Sequence, residues 1–461
     1  MKDSVFNKRT VSLLLTVLVI ISLFVGCGKG KPEGDKIASS SKMSDTVSTP
    51  DDTDSPTESS DTATSSADTS GSSHDTSSAS SDQSSSEQTS ASSVPSSESN
   101  ATSSEASSSQ GSHETMSSTP DKPEKPQSSV EAYVDAMSLE QQVAQMFFAR
   151  CPSSNAVSQI KQYQPGGYIL FAVDFQNQTP ASVKKTISEY QQASKTPMLI
   201  GVDEEGGSVV RVSKFPAFRS SPFLSPAEIY NSEGLNGLIN NTVEKDALLR
   251  SLGINVNLAP VCDVSQNPSD YIYKRTMGKD AKETAECIKT IVSQMKKDNM
   301  GTVLKHFPGY GSNVDTHTGI AVDTRTLDSF RQNDFLPFIS GMNAGAGGIM
   351  INHNIINCLD SKHPATLSPA VNNVLRNELG FDGVIMTDDL SMSAITKYTD
   401  GKNAAVAAVL AGNDMLISSD FVDQYNAVLS AVRNGTISKD RIRQSVIRIV
   451  KWKIELGILS I

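Results

Sequence analysis

The chain is poor in what a metal, nucleotide or nucleic-acid site needs. Its five cysteines stand singly, and its six histidines include no pair four residues apart. Neither pattern offers the spacing of a zinc or calcium site. No carboxylate cluster is present, and Glu205-Gly206-Gly207 has neither the lysine nor the spacing of a phosphate-cradling loop. Basic residues are also in deficit. Forty Lys and Arg against 51 Asp and Glu leave a net charge of -11, which with no basic, aromatic-interleaved patch excludes nucleic acid as a partner. No cofactor and no metal are expected.

Long apolar runs are missing too. The longest, Val11 to Val25, follows Lys2, Lys8 and Arg9 and is short for a membrane span, which takes about 20 residues. It has the layout of a secretion signal's apolar segment and ends in Gly26-Cys27, which resembles a bacterial lipobox. Residues 1–27 are therefore expected to be a lipoprotein signal peptide, with Cys27 lipidated and the protein anchored to the membrane outside the cytoplasm. Residues 28–129 are dominated by Ser, Thr, Asp and Glu with almost no large apolar side chain. Such a segment cannot bury enough surface to offset its ordering entropy, so it is read as a disordered stalk. A flexible coil of ~90 residues spans roughly 50–60 Å. Cys151, Cys262, Cys287 and Cys358 lie beyond it and are expected to be buried free thiols.

From Val130 to Ile461 the composition turns globular. Ser138, followed three residues later by Gln141, reads as the capping box of an amphipathic helix. Apolar strand candidates then alternate with helical patterns: 146–149, 167–171, 198–202, 254–258, 302–304, 348–352, 383–387 and 415–418. Helices are expected at 180–194, 281–298, 368–379 and 401–411, and a closing helix at 437–456. Eight strands in β-then-α order predict an α/β fold, a single (β/α)₈ TIM-type barrel; a doubly wound open sheet is the alternative.

Function is expected where these strands end, because loops after parallel strands carry the chemistry of such folds. The third candidate runs into Asp203-Glu204-Glu205-Gly206-Gly207 and on to Arg211. The fourth is followed by Asp263 and Arg275, and the fifth by Lys305-His306-Phe307-Pro308-Gly309, with Asp315 and His317 close behind. The seventh ends in Asp388-Asp389. A carboxylate ending a barrel strand is costly to bury unless something pairs or uses it. Asp388 is thus a nucleophile candidate, whereas Asp389 is expected to cap the next helix. A polar ring with no cofactor signal suits a sugar, whose cleavage needs one carboxylate and one proton donor.

Taken together, Val202-Asp203-Glu204-Glu205-Gly206-Gly207, Lys305-His306-Phe307-Pro308-Gly309, Asp315-Thr316-His317 and Thr387-Asp388-Asp389-Leu390-Ser391-Met392 resemble bacterial β-N-acetylglucosaminidases of glycoside hydrolase family 3. The resemblance runs from about residue 130 to the end, and the second, C-terminal domain frequent in the family is expected to be absent, as in its single-domain members. It implies a retaining exo-enzyme with Asp388 as nucleophile and His317, oriented by Asp315, as acid/base. It also implies that Asp203, Arg211, Arg275, Lys305 and His306 hold the sugar. The expected partners are N-acetylglucosamine-containing glycans or muropeptides, and the chain is expected to act as a monomer. A β-glucosidase or xylosidase of the same family and an inactive wall-binding lipoprotein are the alternatives, and phosphorolysis stays open beside hydrolysis. Two departures stand out: relatives usually carry His where Tyr310 stands, and often one more residue between Gly311 and Asp315. His353 matches a family position and is read as architecture of the mouth.

Replacing Cys27 by Ala should abolish incorporation of a fatty-acid label. Normal labelling of that variant would rule out lipidation at this residue.

Overall fold

The computed structural model describes residues 128–399 and 404–461. The expected signal peptide, Cys27 and the stalk up to residue 127 lie outside the described residues, as does the first turn of the expected 401–411 helix. Ser128 caps the helix Ser129–Asp135, accepting from the Glu131 N–H while the Glu131 carboxylate takes the Ser128 N–H. Ser138 and Gln141 make the same box at the head of Leu139–Gln145, as their spacing predicts.

Eight parallel strands follow: β1 (Phe147–Arg150), β2 (Gly167–Leu170), β3 (Leu199–Val202), β4 (Val256–Asn257), β5 (Gly301–Phe307), β6 (Gly348–Ile351), β7 (Val384–Thr387) and β8 (Leu416–Ser418). They pair in the order β8-β1-β2-β3-β4-β5-β6-β7. The gap between β7 and β8 is spanned by a bridge between Met386 and Met415. The Thr387 N–H donates to the Met415 carbonyl at 3.1 Å and the Met415 N–H to the Ile385 carbonyl at 3.1 Å. Side chains strengthen this joint: Thr387 Oγ1 accepts the Ile417 N–H at 3.0 Å, and Asp414 accepts the Ile385 N–H at 3.1 Å and Ser445 Oγ at 2.8 Å. Arg376, Arg441 and Arg448 surround the same Asp414 carboxylate. The architecture is the eight-stranded barrel expected, and every strand candidate falls on one of its strands.

Two elements differ from expectation. β5 continues through Lys305 and His306 to Phe307, so both polar residues belong to the strand and not to the loop after it. The 27-residue helix Pro226–Leu252 has no counterpart in the sequence reading, and Gly234 interrupts it with non-helical dihedrals. Its glycines and asparagines blur the 3.6-residue periodicity by which a helix is recognised. Smaller differences occur at 368–379, which forms Pro369–Asn373 followed by a wider turn, Val374–Glu378. Among the cysteines, Cys151, Cys262 and Cys287 are buried free thiols as expected, but Cys358 is exposed.

Register decides which side chains line the barrel. Phe148 is paired with Gly167 and lies where a Cβ on Gly201 would stand, so it fills the interior. Side chains alternate along a strand, so Arg150, two residues on, shares that face. Gly201 on β3 lines the interior through the same contact, which puts Asp203 on the inner side beyond the strand's end. Val303 pairs with Gly348 and Gly348 with Val384, which carries the same face along β7 to Asp388 just beyond its end. Outside β5, Phe307 stacks on Phe335 at 5.3 Å and meets Phe338 edge-on at 5.2 Å. Leu304 also packs outward, next to Gly341 of the helix Phe335–Ala344 that carries both rings. A register shift between Leu304 and Phe307 therefore lets two successive residues, Lys305 and His306, turn inward.

Below the sheet, the closing helix Lys439–Glu455 buries Lys453, whose Nζ donates to Gln145 Oε1 at 2.7 Å. Burial pushes this ammonium down to about 7. The unfolded chain keeps the proton to a lysine's ordinary pKa of about 10.4. Between those two values the unfolded state binds more protons, so stability rises with pH. In urea unfolding at pH 7 and pH 9.5, Lys453→Met should lack the part of that rise present in the wild type; an unchanged pH increment would mean that Lys453 stays charged in the fold.

Candidate active site

The mouth of the barrel is organised around the buried Glu205, which follows β3. Its carboxylate takes Arg275 Nη2 at 2.8 Å, Arg275 Nε at 3.0 Å and Lys305 Nζ at 2.6 Å. Lys305 Nζ also reaches Asp203 Oδ1 at 2.6 Å. The cost of burying Glu205 is outweighed by these two cations, which hold its carboxyl far below the ordinary range. On the Lys305 side, burial works against the charge, and Asp203 and Glu205 overcome it to raise the ammonium's pKa. Glu205 therefore stays ionised and cannot serve as a proton donor.

Glu204, next to it, is spent differently. Its carboxylate accepts the backbone N–H groups of Arg211, Val212 and Ser213 at 2.8, 2.7 and 3.2 Å, and the Ser213 hydroxyl. It fixes the loop that presents Arg211. The Arg211 guanidinium lies 5.9 Å from the Phe171 ring centre, and Arg150 lies 4.3 Å from the same ring. Among the described residues neither arginine makes an ion pair, and Arg211 Nε is buried without a hydrogen-bond partner. Arg150, the last residue of β1, escaped the sequence reading. Only the alternation of β1 could have flagged it.

His306 is held from both sides. Arg275 has only donors, so His306 Nε2 accepts from Arg275 Nη2 at 3.1 Å while Nδ1–H donates to Asp263 Oδ2 at 2.8 Å. Asp263 also takes the backbone N–H groups of His306 at 3.1 Å and Tyr310 at 2.7 Å, tying the end of β5 to its loop. Of the five side chains expected to hold a sugar, Asp203, Arg275, Lys305 and His306 thus form one continuous network. Arg211 stands apart from it, on Phe171.

Asp388 lies across the mouth, just past β7. Its N–H donates to the Ile351 carbonyl at 3.1 Å, and its Oδ1 accepts the Asp389 N–H at 2.8 Å. Burial acts to raise its pKa, but the imidazoles of His353, His306 and His317 and the Asp389 N–H hold it below the ordinary value. Asp389 accepts from the Ser391 N–H at 2.9 Å and the Ser391 hydroxyl at 2.7 Å, and it also takes the Ser419 N–H at 3.3 Å. It is thus structural, as expected, but not as a helix cap: the next helix starts only at Ser393, and the carboxylate instead ties the β7 loop to the end of β8. His353 is buried between the Thr366 hydroxyl, 2.9 Å from Nδ1, and the Asp389 carbonyl, 3.0 Å from Nε2. Burial lowers its pKa, in keeping with a structural imidazole.

Asp315 and His317 meet as their spacing predicts. His317 Nδ1 lies 2.7 Å from Asp315 Oδ1, which also accepts the His317 N–H at 2.9 Å. The hydrogen bond to Asp315 raises the His317 pKa against burial, and the charge of Asp388 adds to it. Asp315 is pulled below its ordinary value: burial opposes, and hydrogen bonds from His317 and Tyr271 prevail. The loop's foot is braced by Arg325, which joins Asp323 at 2.8 Å to Asp334 at 2.9 Å, and by Asn313, which donates to Asp323 at 2.7 Å. From the far side, Lys397 Nζ donates to the Thr318 carbonyl at 3.1 Å. Tyr271 and Tyr310 also escaped the sequence reading as site residues; Tyr310 stood out only as a departure from the resemblance.

The arrangement offers an ionised carboxylate, an imidazole primed to carry a proton, and a ring of charged donors and acceptors between them. Among the described residues no group of His, Cys, Asp and Glu is placed to hold a metal ion.

The chain is similar to known proteins over most of its described residues. The family described as "Glycosyl hydrolase family 3 N terminal domain" matches residues 138–452. A protein named beta-hexosaminidase A from Pseudoalteromonas piscicida is 29% identical over 327 residues, covering 64% of this chain and 54% of that protein. The chain thus spans about half of that relative's length. A beta-hexosaminidase from Methylococcus capsulatus is 31% identical over 280 residues, covering 60% of this chain and 83% of that protein. A solved glycoside hydrolase family 3 beta-N-acetylglucosaminidase from Paenibacillus sp. superposes with a TM-score of 0.66 at 29% identity, covering 71% of this chain and 64% of that one.

If Asp315 is what raises the His317 pKa, Asp315→Asn should lower it. The alkaline limb of the pH–rate profile, where the acid loses its proton, should move to lower pH. A limb that stays in place would assign it to another group.

Proposed function

This chain belongs to glycosyl hydrolase family 3, and from that premise we propose that it is a retaining exo-β-N-acetylglucosaminidase. Asp388 attacks the anomeric carbon to form a glycosyl ester, and His317 gives its proton to the departing oxygen. The same imidazole, now neutral, then takes a proton from the water that cleaves the ester. Asp315 fixes the ring and stabilises its charged form. Asp203, Lys305, Arg275 and Arg211 bind the sugar hydroxyls. The natural substrate is proposed to be a terminal N-acetylglucosamine on peptidoglycan fragments, met at the cell surface by a lipid-anchored enzyme.

The observation that carries this reading is that, among the described residues, the two glutamates beside the sugar-binding network are already engaged and neither is free to be the acid. Glu204 is engaged by three backbone N–H groups and a hydroxyl, and Glu205 is held ionised by Arg275 and Lys305. That leaves His317, with a pKa raised by Asp315, as the proton donor facing Asp388. The names of the relatives support an N-acetylhexosamine over glucose or xylose at the cleaved position.

Aryl β-N-acetylglucosaminide should be turned over and aryl β-glucoside should not, and added phosphate should leave the product as free sugar. In His317→Ala, attack by Asp388 on a dinitrophenyl glycoside should be only mildly slowed, because that leaving group needs no proton. A disaccharide should lose on the order of 10²–10⁴-fold. Equal losses for the two substrates would remove His317 from the chemistry, and preference for the glucoside would redirect the substrate assignment.

A further inference from the structure

Tyr310 is buried in the loop after β5, and among the described residues its hydroxyl is bonded at one place only: Thr316, the residue between Asp315 and His317. The Thr316 N–H donates to the Tyr310 oxygen at 3.3 Å, and that oxygen also contacts Thr316 Oγ1. With the backbone N–H donating inward, the phenolic proton is left to bond the threonine hydroxyl. Thr316 is itself fully buried, whereas the His317 side chain is 49% exposed. The tyrosine ring is located independently. Its N–H is fixed on Asp263 at 2.7 Å, its edge meets the His306 ring at 5.6 Å, and Tyr271 packs on it at 5.8 Å. Those contacts make it part of the rigid network around Glu205, while Thr316 belongs to the loop.

We propose that Tyr310 is the positioning residue of the Asp315–His317 pair, a strut that transmits the fixed geometry of the β5 end to the imidazole through Thr316. The inference rests on the acid/base reading of His317 given above. It also accounts for both departures in this stretch together: with fewer residues between Gly311 and Asp315, a side chain reaching further than histidine spans from the strand end to Thr316. Without the hydroxyl, a buried N–H and a buried hydroxyl lose their partner, and among the described residues the loop between Asn313 and the Lys397 contact at Thr318 is left with the bond from Tyr271 to Asp315. The imidazole then samples positions from which proton delivery fails, although Asp388 and the sugar-binding network stay intact.

The test is Tyr310→Phe, which removes one oxygen, measured beside His317→Ala on two substrates. Cleavage of an N-acetylglucosaminyl disaccharide, which needs a proton, should fall about tenfold or more. Formation of the glycosyl-enzyme from the dinitrophenyl glycoside should stay within about twofold of wild type. Thr316→Ala cuts the same link from the loop side and should show the same selective loss, and the double variant should lose no more than either single one. A Tyr310→Phe enzyme that loses both substrates equally, or neither, overturns the strut while His317→Ala keeps its leaving-group dependence. A flat response of His317→Ala overturns the acid/base reading, and the strut with it.

Discussion

A single buried carboxylate between two cations holds this mouth together. Glu205 receives both Arg275 and Lys305, and through them Asp203 and His306 are drawn into one network. Removing a partner from such a group leaves an uncompensated charge out of water, which typically costs 3–5 kcal/mol. The arrangement is therefore close to all-or-none. It also settles the division of labour among the acidic residues. Glu205 is fixed by two cations and Glu204 by three backbone N–H groups, so both are committed to holding the mouth, and the proposed proton transfer falls to an imidazole.

Placement of these groups follows from sheet register more than from the loops. Alternation along β1, β3 and β7 carries Arg150, Asp203 and Asp388 to the inner side, Arg150 as the last residue of its strand and the two aspartates just past theirs. β5 breaks the rule in a useful way. With Leu304 and Phe307 both packed outward, the register shift turns Lys305 and His306 inward as neighbours, which regular alternation would forbid. The two residues then divide their duties: Lys305 bridges carboxylates while His306 braces the loop base through Asp263.

Much of this was legible in the sequence because the strands of a barrel are buried on both faces and read as short apolar runs. Asp203, Lys305 and Asp388 could be placed because each follows such a run directly. Polar character misled in one place, where Lys305 and His306 looked like a loop although the ladder continues through them. The partners of Glu205 could not be read, since Arg275 and Lys305 lie 70 and 100 positions away and pair through tertiary folding alone. Tyr271 and Tyr310 had no signal of their own either; an aromatic residue in a loop looks the same whether it packs idly or supports a functional group. The helix at 226–252 was obscured by glycine and asparagine, whose helix propensity is low and whose place here is secured by packing.

The joint between β7 and β8 has a consequence of another kind. Most neighbouring strands are held by backbone ladders, which are indifferent to side-chain identity. At this joint Thr387, Asp389 and Asp414 share the task with the backbone through bonds to Ile417, Ser419 and Ile385. The strand that carries Asp388 thus depends on what its neighbours are, not only on their being a strand. Mutational tolerance is accordingly uneven around the barrel and narrow at this seam, as it is between β3 and β4, where Asn255 and Asn257 bond the backbone at Met198, Ile200 and Glu204. Sequence drift that passes unnoticed elsewhere in the sheet would here displace the carboxylate itself.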